Sequence, residues 1–202
     1  LGTFASSVGK EAVDVGVASA MRADDTLLVT YRETAAQLVR GVSMLELLLY
    51  WGGDERGSNF AVPRGDFPIC ITIAAHTCHA VGVAYAFKLR REPRVAVCMN
   101  GDGATSKGEF YEGINAAGAW QLPLVFIVTN NQWAISAYQG IAGGEESPFA
   151  ARGLGYGLPG LRVDGNDLLA VYAATQWAAE RARANLGATL IELFTYRASE
   201  HS

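Results

Sequence analysis

Two polar groups at the ends of apolar runs are the first residues in this chain that could do chemistry. Asp102, between Gly101 and Gly103, ends the run 95–99 (VAVCM). The pair Asn130-Asn131 ends the run 124–128 (LVFIV). The residues between them read as a turn and a helix, so the unit is strand, turn, helix, strand. In open α/β sheets the ligand crevice lies beyond the carboxyl ends of the strands. That rule sets Asp102 and Asn131 across one crevice. A dinucleotide fingerprint would need glycine at 106, which is Ser106, and an acid near the end of the second strand. A phosphate-binding P-loop would need lysine after Gly108, where Glu109 stands. A metal–diphosphate site needs less. Mg²⁺ takes hard oxygen ligands and is commonly held by one or two carboxylates plus phosphates. Asp102 offers a carboxylate and Asn131 an amide oxygen. The flanking glycines let main-chain N–H groups approach an anion, as the following helix start also does.

The elements that must position these groups can be read in order. Residues 9–21 form a helix pattern with Val13, Val17 and Ala20 on one face. Residues 26–30 read as a strand and 33–40 as a helix stopped by Gly41. Ser43 and Glu46 form a capping box for the next helix. Residues 52–68 are a long polar loop, a length that is usually functional or mobile. Residues 69–73 read as a strand, and the helix after them carries small residues (Ala80, Gly82, Ala84, Ala86). In the central helix Phe110, Ile114 and Ala117 share a face, and Gly113, Ala116 and Gly118 keep it slim. Ser147-Pro148 reads as an N-cap with proline at the first helical position. Residues 161–163 are a strand stub. Asn166 or Asp167 caps a helix to 186, stopped by Gly187, and 189–195 is the last strand. Strands alternating with helices imply an α/β fold, a mostly parallel sheet with helices on both faces.

The bulk numbers narrow the function. With 202 residues, 50% hydrophobic and 18% charged, a sizeable core is expected. A net charge of −4 gives no basic stripe for nucleic acid, and no apolar run is long enough to span a membrane. Cys70, Cys78 and Cys98 have no CxxC spacing, which suits a reducing, cytoplasmic compartment. The chain begins and ends abruptly, so it reads as one domain, residues 1–202, cut at both ends. A mitochondrial matrix location stays open, because a targeting segment would lie before residue 1.

The stretches GDGATSKGEFYEGINAAGAWQLP and NNQWAIS resemble the E1 α subunits of the 2-oxo acid dehydrogenase complexes. GDG followed by NN is similar to the thiamine-diphosphate (ThDP) signature. LGTFASSVGKEAVDVG, VTYRE, YWGGDERG, HAVGVAYAFKLR, LRVDGND and TYRASEHS extend the likeness over the whole chain. The resemblance implies a ThDP-binding fold and, for Asp102 and Asn131, the role of Mg²⁺ side-chain ligands, with Trp133 adding its main-chain oxygen. It implies backbone contacts to the diphosphate from Gly101, Gly103 and Ala104, and side-chain contacts from Tyr31 and Arg32. Ile73 takes the position that meets the aminopyrimidine ring. Arg197 and His201 belong to a loop at the active-site mouth, with His201 serving substrate and acyl transfer. Ser202 matches a serine that is phosphorylated in animal homologues.

The implied activity is oxidative decarboxylation of pyruvate or a branched-chain 2-oxo acid. The acyl group passes to a lipoylated E2. The glutamate that activates the cofactor lies on a β subunit, so an α2β2 assembly is implied. An acetoin dehydrogenase α subunit shares these motifs, and an inactive α-like scaffold is the non-enzymatic alternative. The Thr and Gln that serve a monovalent cation in some relatives are Ala75 and His76, and no such site is expected. His76, Cys78 and His79 read as a packed polar group rather than a zinc site. Glu200, beside His201, either raises the histidine's pKa or faces solvent.

Overall fold

The computed structural model describes residues 4–138, 143–144 and 146–201. Seven strands follow in order: β1 (Thr26–Leu28), β2 (Ala96–Gly101), β3 (Leu124–Asn130), β4 (Trp133–Ala134), β5 (Ala137–Tyr138), β6 (Gly160–Asp164) and β7 (Thr189–Phe194). Five of them build one sheet in the order β1-β2-β3-β7-β6, and every pairing in it is parallel. β4 and β5 form a separate two-stranded hairpin just past the end of β3. The six α-helices are α1 (Glu11–Ser19), α2 (Thr34–Arg40), α3 (Met44–Trp51), α4 (Ala75–Arg90), α5 (Gly108–Ala119) and α6 (Leu168–Arg183). Among the described residues no helix is long and apolar enough to cross a membrane.

The two faces of the sheet follow from the period of two along each strand. Leu28, Cys98, Phe126, Val128 and Leu190 pack on one side, against α4, α5 and the 3₁₀ segment Phe149–Tyr156. Leu27, Val97, Val125, Ile127 and Ile191 pack on the other, against α1, α2 and α6. Every residue of β3 is buried, which is why its sequence is a continuous apolar run instead of an alternation.

Local signals set most helix ends. Ser43 and Glu46 make the reciprocal capping box on α3, and α2 stops at Gly41 with φ 103°. Asp167, not Asn166, caps α6 by accepting from Leu169 N and Ala170 N. The polar loop 52–68 is held by buried Phe60, by the bond from Ala61 N to Glu46, and by Asp66. Asp66 accepts from Leu27 N through Oδ1 at 2.9 Å and pairs with buried Arg40 Nε at 2.9 Å.

Several expectations need correcting. Residues 69–73 are not a strand. They make one parallel bridge, Thr30 to Cys70, and Ile71 is 57% exposed, so the segment has no sheet face to bury. Pro148 itself takes the N-cap position at φ −53°, ψ 141°, and a 3₁₀ segment follows instead of an α-helix. There a Cβ added at Gly153 would come 3.2 Å from Leu190 Cβ and the Leu158 carbonyl oxygen, so the glycine allows the segment to lie close to the sheet. α6 ends at Arg183, short of 186, because Asn185 turns left-handed at φ 58° ahead of Gly187. Ala80 and Ala84 are buried as expected, but Gly82 is exposed and a Cβ there would meet nothing within 4 Å. Ala20 is only half-buried.

The slim surface of α5 was expected to face the sheet, but its glycines face α4 and the 3₁₀ segment instead. A Cβ at Gly113 would lie 2.5 Å from Thr77 Cγ2, and one at Gly118 would lie 2.0 Å from the Tyr156 carbonyl oxygen. These two glycines let α5 approach α4 and the 3₁₀ segment closely enough to bury Phe110 and Ile114 completely.

Candidate functional site

A cavity of about 210 Å³ opens at the carboxyl end of the sheet. Residues singled out from sequence reach it from five separated segments. The end of β2 and the 3₁₀ turn Asp102–Ser106 supply Gly101, Asp102, Gly103 and Ala104. The turn after β3 supplies Asn131 and Trp133, and the turn after β1 supplies Tyr31 and Arg32. Ile73 comes from the approach to α4 and His201 from the residues after β7. Asn130 is not in this wall, and of the candidate catalytic, cofactor and metal residues among the described residues neither is Arg197. It stands at the rim, where its Nη1 donates to the Ile135 carbonyl at 2.5 Å and its guanidinium lies 5.3 Å from the Trp133 ring centroid. Ser202 lies outside the described residues.

Asp102 is 4% exposed, and no cationic side chain pairs with it among the described residues. Burial pushes its pKa up to about 6, although main-chain N–H groups of Gly103, Gln132 and Trp133 pull it back. Its Oδ1 accepts from Gly103 N at 2.9 Å. A buried, unpaired carboxylate is costly unless a cation joins it. Asn131 Oδ1 accepts one bond, from Trp133 N at 3.0 Å, and keeps a second lone pair. A Cβ at Gly103 would come 2.9 Å from Ala134 Cβ, whereas one at Gly101 would enter open space. The donor set is all oxygen, with one carboxylate, and it suits a hard divalent cation accompanied by an anion.

The paired asparagines divide their work. Asn130 is fully buried and points away from the cavity. Its Nδ2 donates to Glu192 Oε1 at 2.8 Å, and Glu192 Oε2 accepts from Ala150 N at 3.1 Å. Asn130 Oδ1 accepts from Gln132 N, and Gln132 Nε2 donates to the Thr195 carbonyl at 3.0 Å. Asn130 thus holds the turn that presents Asn131.

Arg32 joins distant parts of the mouth. Its Nη1 donates to the Ser6 carbonyl at 2.5 Å, and its Nη2 donates to the His201 carbonyl at 2.9 Å, with His201 Nδ1 at 3.2 Å. The His201 pKa is lowered, first by burial and then by the positive charges of Arg32 and Arg197. Glu200 is exposed and is not among the causes of that shift, so of the two outcomes left open for it the solvent-facing one is observed. A neutral His201 can accept from Arg32 through Nδ1.

His76 Nε2 lies 2.7 Å from the Met99 carbonyl, and burial lowers its pKa, so the neutral ring donates there. Cys78 is exposed and His79 stacks near Phe67. Among the described residues no three His, Cys, Asp or Glu side chains are grouped to hold a metal.

Sequence reasoning missed a buried charged group in the cavity wall. Lys10 Nζ lies 2.5 Å from Glu33 Oε1 and 3.2 Å from Asp14 Oδ1, and all three side chains are at most 5% exposed. Glu33 Oε2 also accepts from Thr30 N and Thr30 Oγ1, both at 2.6 Å. With these donors Glu33 stays ionised, its pKa lowered against burial by Lys10 and Thr30. Asp14 has Lys10 and the Ala35 main chain, and burial still pushes it up to about 7. An acid with a raised folded pKa loses stability as pH climbs from its unfolded value, near 4, to its folded value. Asp14→Asn should therefore melt a few degrees higher than the parent at pH 8 and by a clearly smaller margin at pH 5. Thermal denaturation at the two pH values checks this. An equal shift at both would assign the effect to packing.

An open, parallel, doubly wound sheet with a ligand crevice at its carboxyl edge is the class of architecture that the fold defines. All 202 residues match the family described as Dehydrogenase E1 component, and the chain belongs to that family. It is 42% identical over 199 residues to the pyruvate dehydrogenase E1 component subunit alpha of Mycoplasma genitalium, covering 98% of this chain and 55% of that one. It is 39% identical over 211 residues to the 2-oxoisovalerate dehydrogenase subunit alpha of Pseudomonas aeruginosa, covering 100% and 52%. The 3-methyl-2-oxobutanoate dehydrogenase subunit alpha of Mycobacterium tuberculosis is 43% identical over 195 residues, covering 96% and 53%. The chain thus spans about half the length of the relatives it matches. An X-ray structure from Mycobacterium smegmatis, described as a candidate thiamin diphosphate-dependent enzyme, superposes with a TM-score of 0.64. It covers 95% of this chain and 34% of that one at 17% identity, a likeness of fold.

Proposed function

We propose that these residues are one unit of a longer E1 α chain that binds Mg²⁺-thiamine diphosphate and acts in oxidative decarboxylation of a 2-oxo acid. The observation that carries this reading is the meeting of Asp102, Asn131, Tyr31, Arg32 and His201 in one cavity wall, from segments far apart in sequence. Asp102, Asn131 and the Trp133 carbonyl are the ligands for Mg²⁺. The backbone at Gly101, Gly103 and Ala104 faces the diphosphate, with Tyr31 and Arg32 opposite. Ile73 supports the ring end of the cofactor. When bound, the cofactor supplies a carbanion that adds to the 2-oxo carbon and holds electrons as CO₂ leaves.

The protein's own part is to bind, orient and keep water out. His201, neutral at the mouth, can accept or return a proton near the substrate carbonyl. Arg197 holds the mouth by its bond to the Ile135 carbonyl. The activating glutamate comes from a β subunit in an α2β2 assembly, and a lipoylated E2 takes the acyl group, in the cytoplasm.

Relatives of pyruvate and branched-chain type match about equally, which supports the substrate class and not one member. The full-length chain, assembled with its β subunit, should release CO₂ from pyruvate or 3-methyl-2-oxobutanoate only when ThDP and Mg²⁺ are both present. Turnover of acetoin alone, or of no substrate in the panel, would overturn the reading.

A further inference from the structure

The cavity wall carries four charged side chains, two of each sign: Lys10, Arg32, Glu33 and Asp102. Resting on the cofactor reading above, Asp102 is committed to the cation and Arg32 to the phosphates. That leaves Glu33, a buried carboxylate in the wall of an anion site. Buried like charges a few ångströms apart oppose one another strongly, because the low local polarity screens little. Glu33 cannot simply be dispensed with. Its Oε2 holds both the N–H and the hydroxyl of Thr30, the residue that leads into Tyr31 and Arg32. The turn that presents the phosphate contacts is therefore built on a group that would repel phosphate.

Lys10 resolves this conflict. Its Nζ is 2.5 Å from Glu33 Oε1, on the side of the carboxylate away from Thr30. The side chain is 5% exposed, so solvent does not dilute its charge. Asp14, one turn along α1, keeps the ammonium in place from behind at 3.2 Å. Lys10 Nζ lies closer to Glu33 than to Asp14, 2.5 Å against 3.2 Å, so its charge is set mainly against Glu33.

We propose that Lys10 is a cofactor-binding determinant of this chain: its buried ammonium cancels the charge of Glu33 in the cavity wall, so that the turn carrying Tyr31 and Arg32 can accept a diphosphate. Lys10 acts through Glu33 and is a positioning residue. Its contribution is charge, with hydrogen bonding secondary, and the two can be separated. Lys10→Gln keeps a donor for Glu33 and removes the charge. Lys10→Arg keeps the charge and changes the shape. Lys10→Gln combined with Glu33→Gln removes both charges and retains an amide partner for Thr30.

The test is calorimetric titration of ThDP, with Mg²⁺ present, into the full-length protein in its native assembly, with a thermal melt of each cofactor-free variant. Lys10→Gln should weaken ThDP binding about tenfold or more, as an uncompensated buried charge does. Adding Glu33→Gln should bring the affinity back to within about threefold of the parent, and Lys10→Arg should stay within about threefold too. A purely structural pair would likewise be repaired by removing both charges, but its loss would appear in step in the cofactor-free melt, whereas charge cancellation at the phosphate site weakens ThDP binding beyond any change in the melt. Unchanged affinity in Lys10→Gln overturns the proposal. So does a loss that Glu33→Gln does not relieve, or a loss in Lys10→Arg with an unchanged melt. If the parent itself fails to bind ThDP, the cofactor reading falls, and this inference with it. That outcome is distinct from the others, in which the parent binds.

Discussion

Asp102→Asn is expected to make the cofactor-free protein more stable while abolishing Mg²⁺-dependent binding of ThDP. The carboxylate is almost fully buried and has no cationic partner among the described residues, and burial pushes its pKa up to about 6. In the cation-free protein its ionisation works against folding. That cost is absent below about pH 4, grows as pH rises through about 6, and is complete above it. A shift of about two units corresponds to an upper figure on the order of 2–3 kcal/mol. Asparagine keeps the shape and an acceptor for Gly103 N, and it removes the charge. The variant should melt several degrees above the parent at pH 8, with the difference vanishing near pH 4. In the same variant a divalent cation loses its only charged ligand, so titration with ThDP should show no Mg²⁺ dependence. Retained Mg²⁺-dependent binding would place the cation elsewhere. A lower melt at pH 8 would mean that the carboxylate has a stabilising role within the fold.

The second large effect is structural. Gly118→Ala puts a Cβ 2.0 Å from the Tyr156 carbonyl oxygen and 2.9 Å from Leu158 Cδ1. The first neighbour is backbone and cannot turn aside, so α5 must move off the 3₁₀ segment. Overpacking of this kind costs about 1–3 kcal/mol and sometimes more, while the helix itself gains up to about 1 kcal/mol from alanine. Because the contact is backbone, the upper end applies, and the net loss is expected at about 3 kcal/mol. For a chain of this size that lowers the melting temperature by about 5–10 °C. Gly82→Ala is the matched control, since its Cβ meets nothing within 4 Å. It should be neutral or slightly stabilising. Equal melts for the two variants would refute the packing account.

The contrast between those glycines marks where the sequence was informative. Gly113 and Gly118 lie on the same helix face as Phe110 and Ile114, and their burial follows from period alone. Gly82 lies in an equally small-residue stretch, but it turns to the exposed side of α4. A count of small residues cannot separate these cases, because exposure depends on which neighbours the sheet brings. Asp102 and Asn131 were legible because strand ends can be read from apolar runs, and an open sheet places such ends together. Asn130 was not separable from Asn131, since its partner Glu192 is 62 positions away. Residues 69–73 have the composition of a strand, but no free sheet edge receives them beyond the one bridge at Cys70. The Lys10–Asp14–Glu33 group was invisible for a different reason. Lys10 and Asp14 read as ordinary polar positions of a helix. Only the packing of α1 on the turn after β1 shows that they are inward and joined to Glu33.

The strand order has a consequence for how the site comes into being. β7 follows β6 in the chain, yet it lies between β3 and β6 in the sheet. Until β7 inserts, β3 has an open edge, Asn130 has no Glu192, and Gln132 has no Thr195 carbonyl. The β1–β2–β3 half can assemble earlier through its own crossovers. The β3–β7 pairing must close a long loop first, and such closures are slow steps in folding. The Asn131 turn is therefore shaped late, by the arrival of a strand that carries none of its ligands. During synthesis the crevice edge of the sheet waits for residues 189–195, and a folding intermediate lacking β7 is a species with a formed Asp102 turn and no matching partner across the crevice.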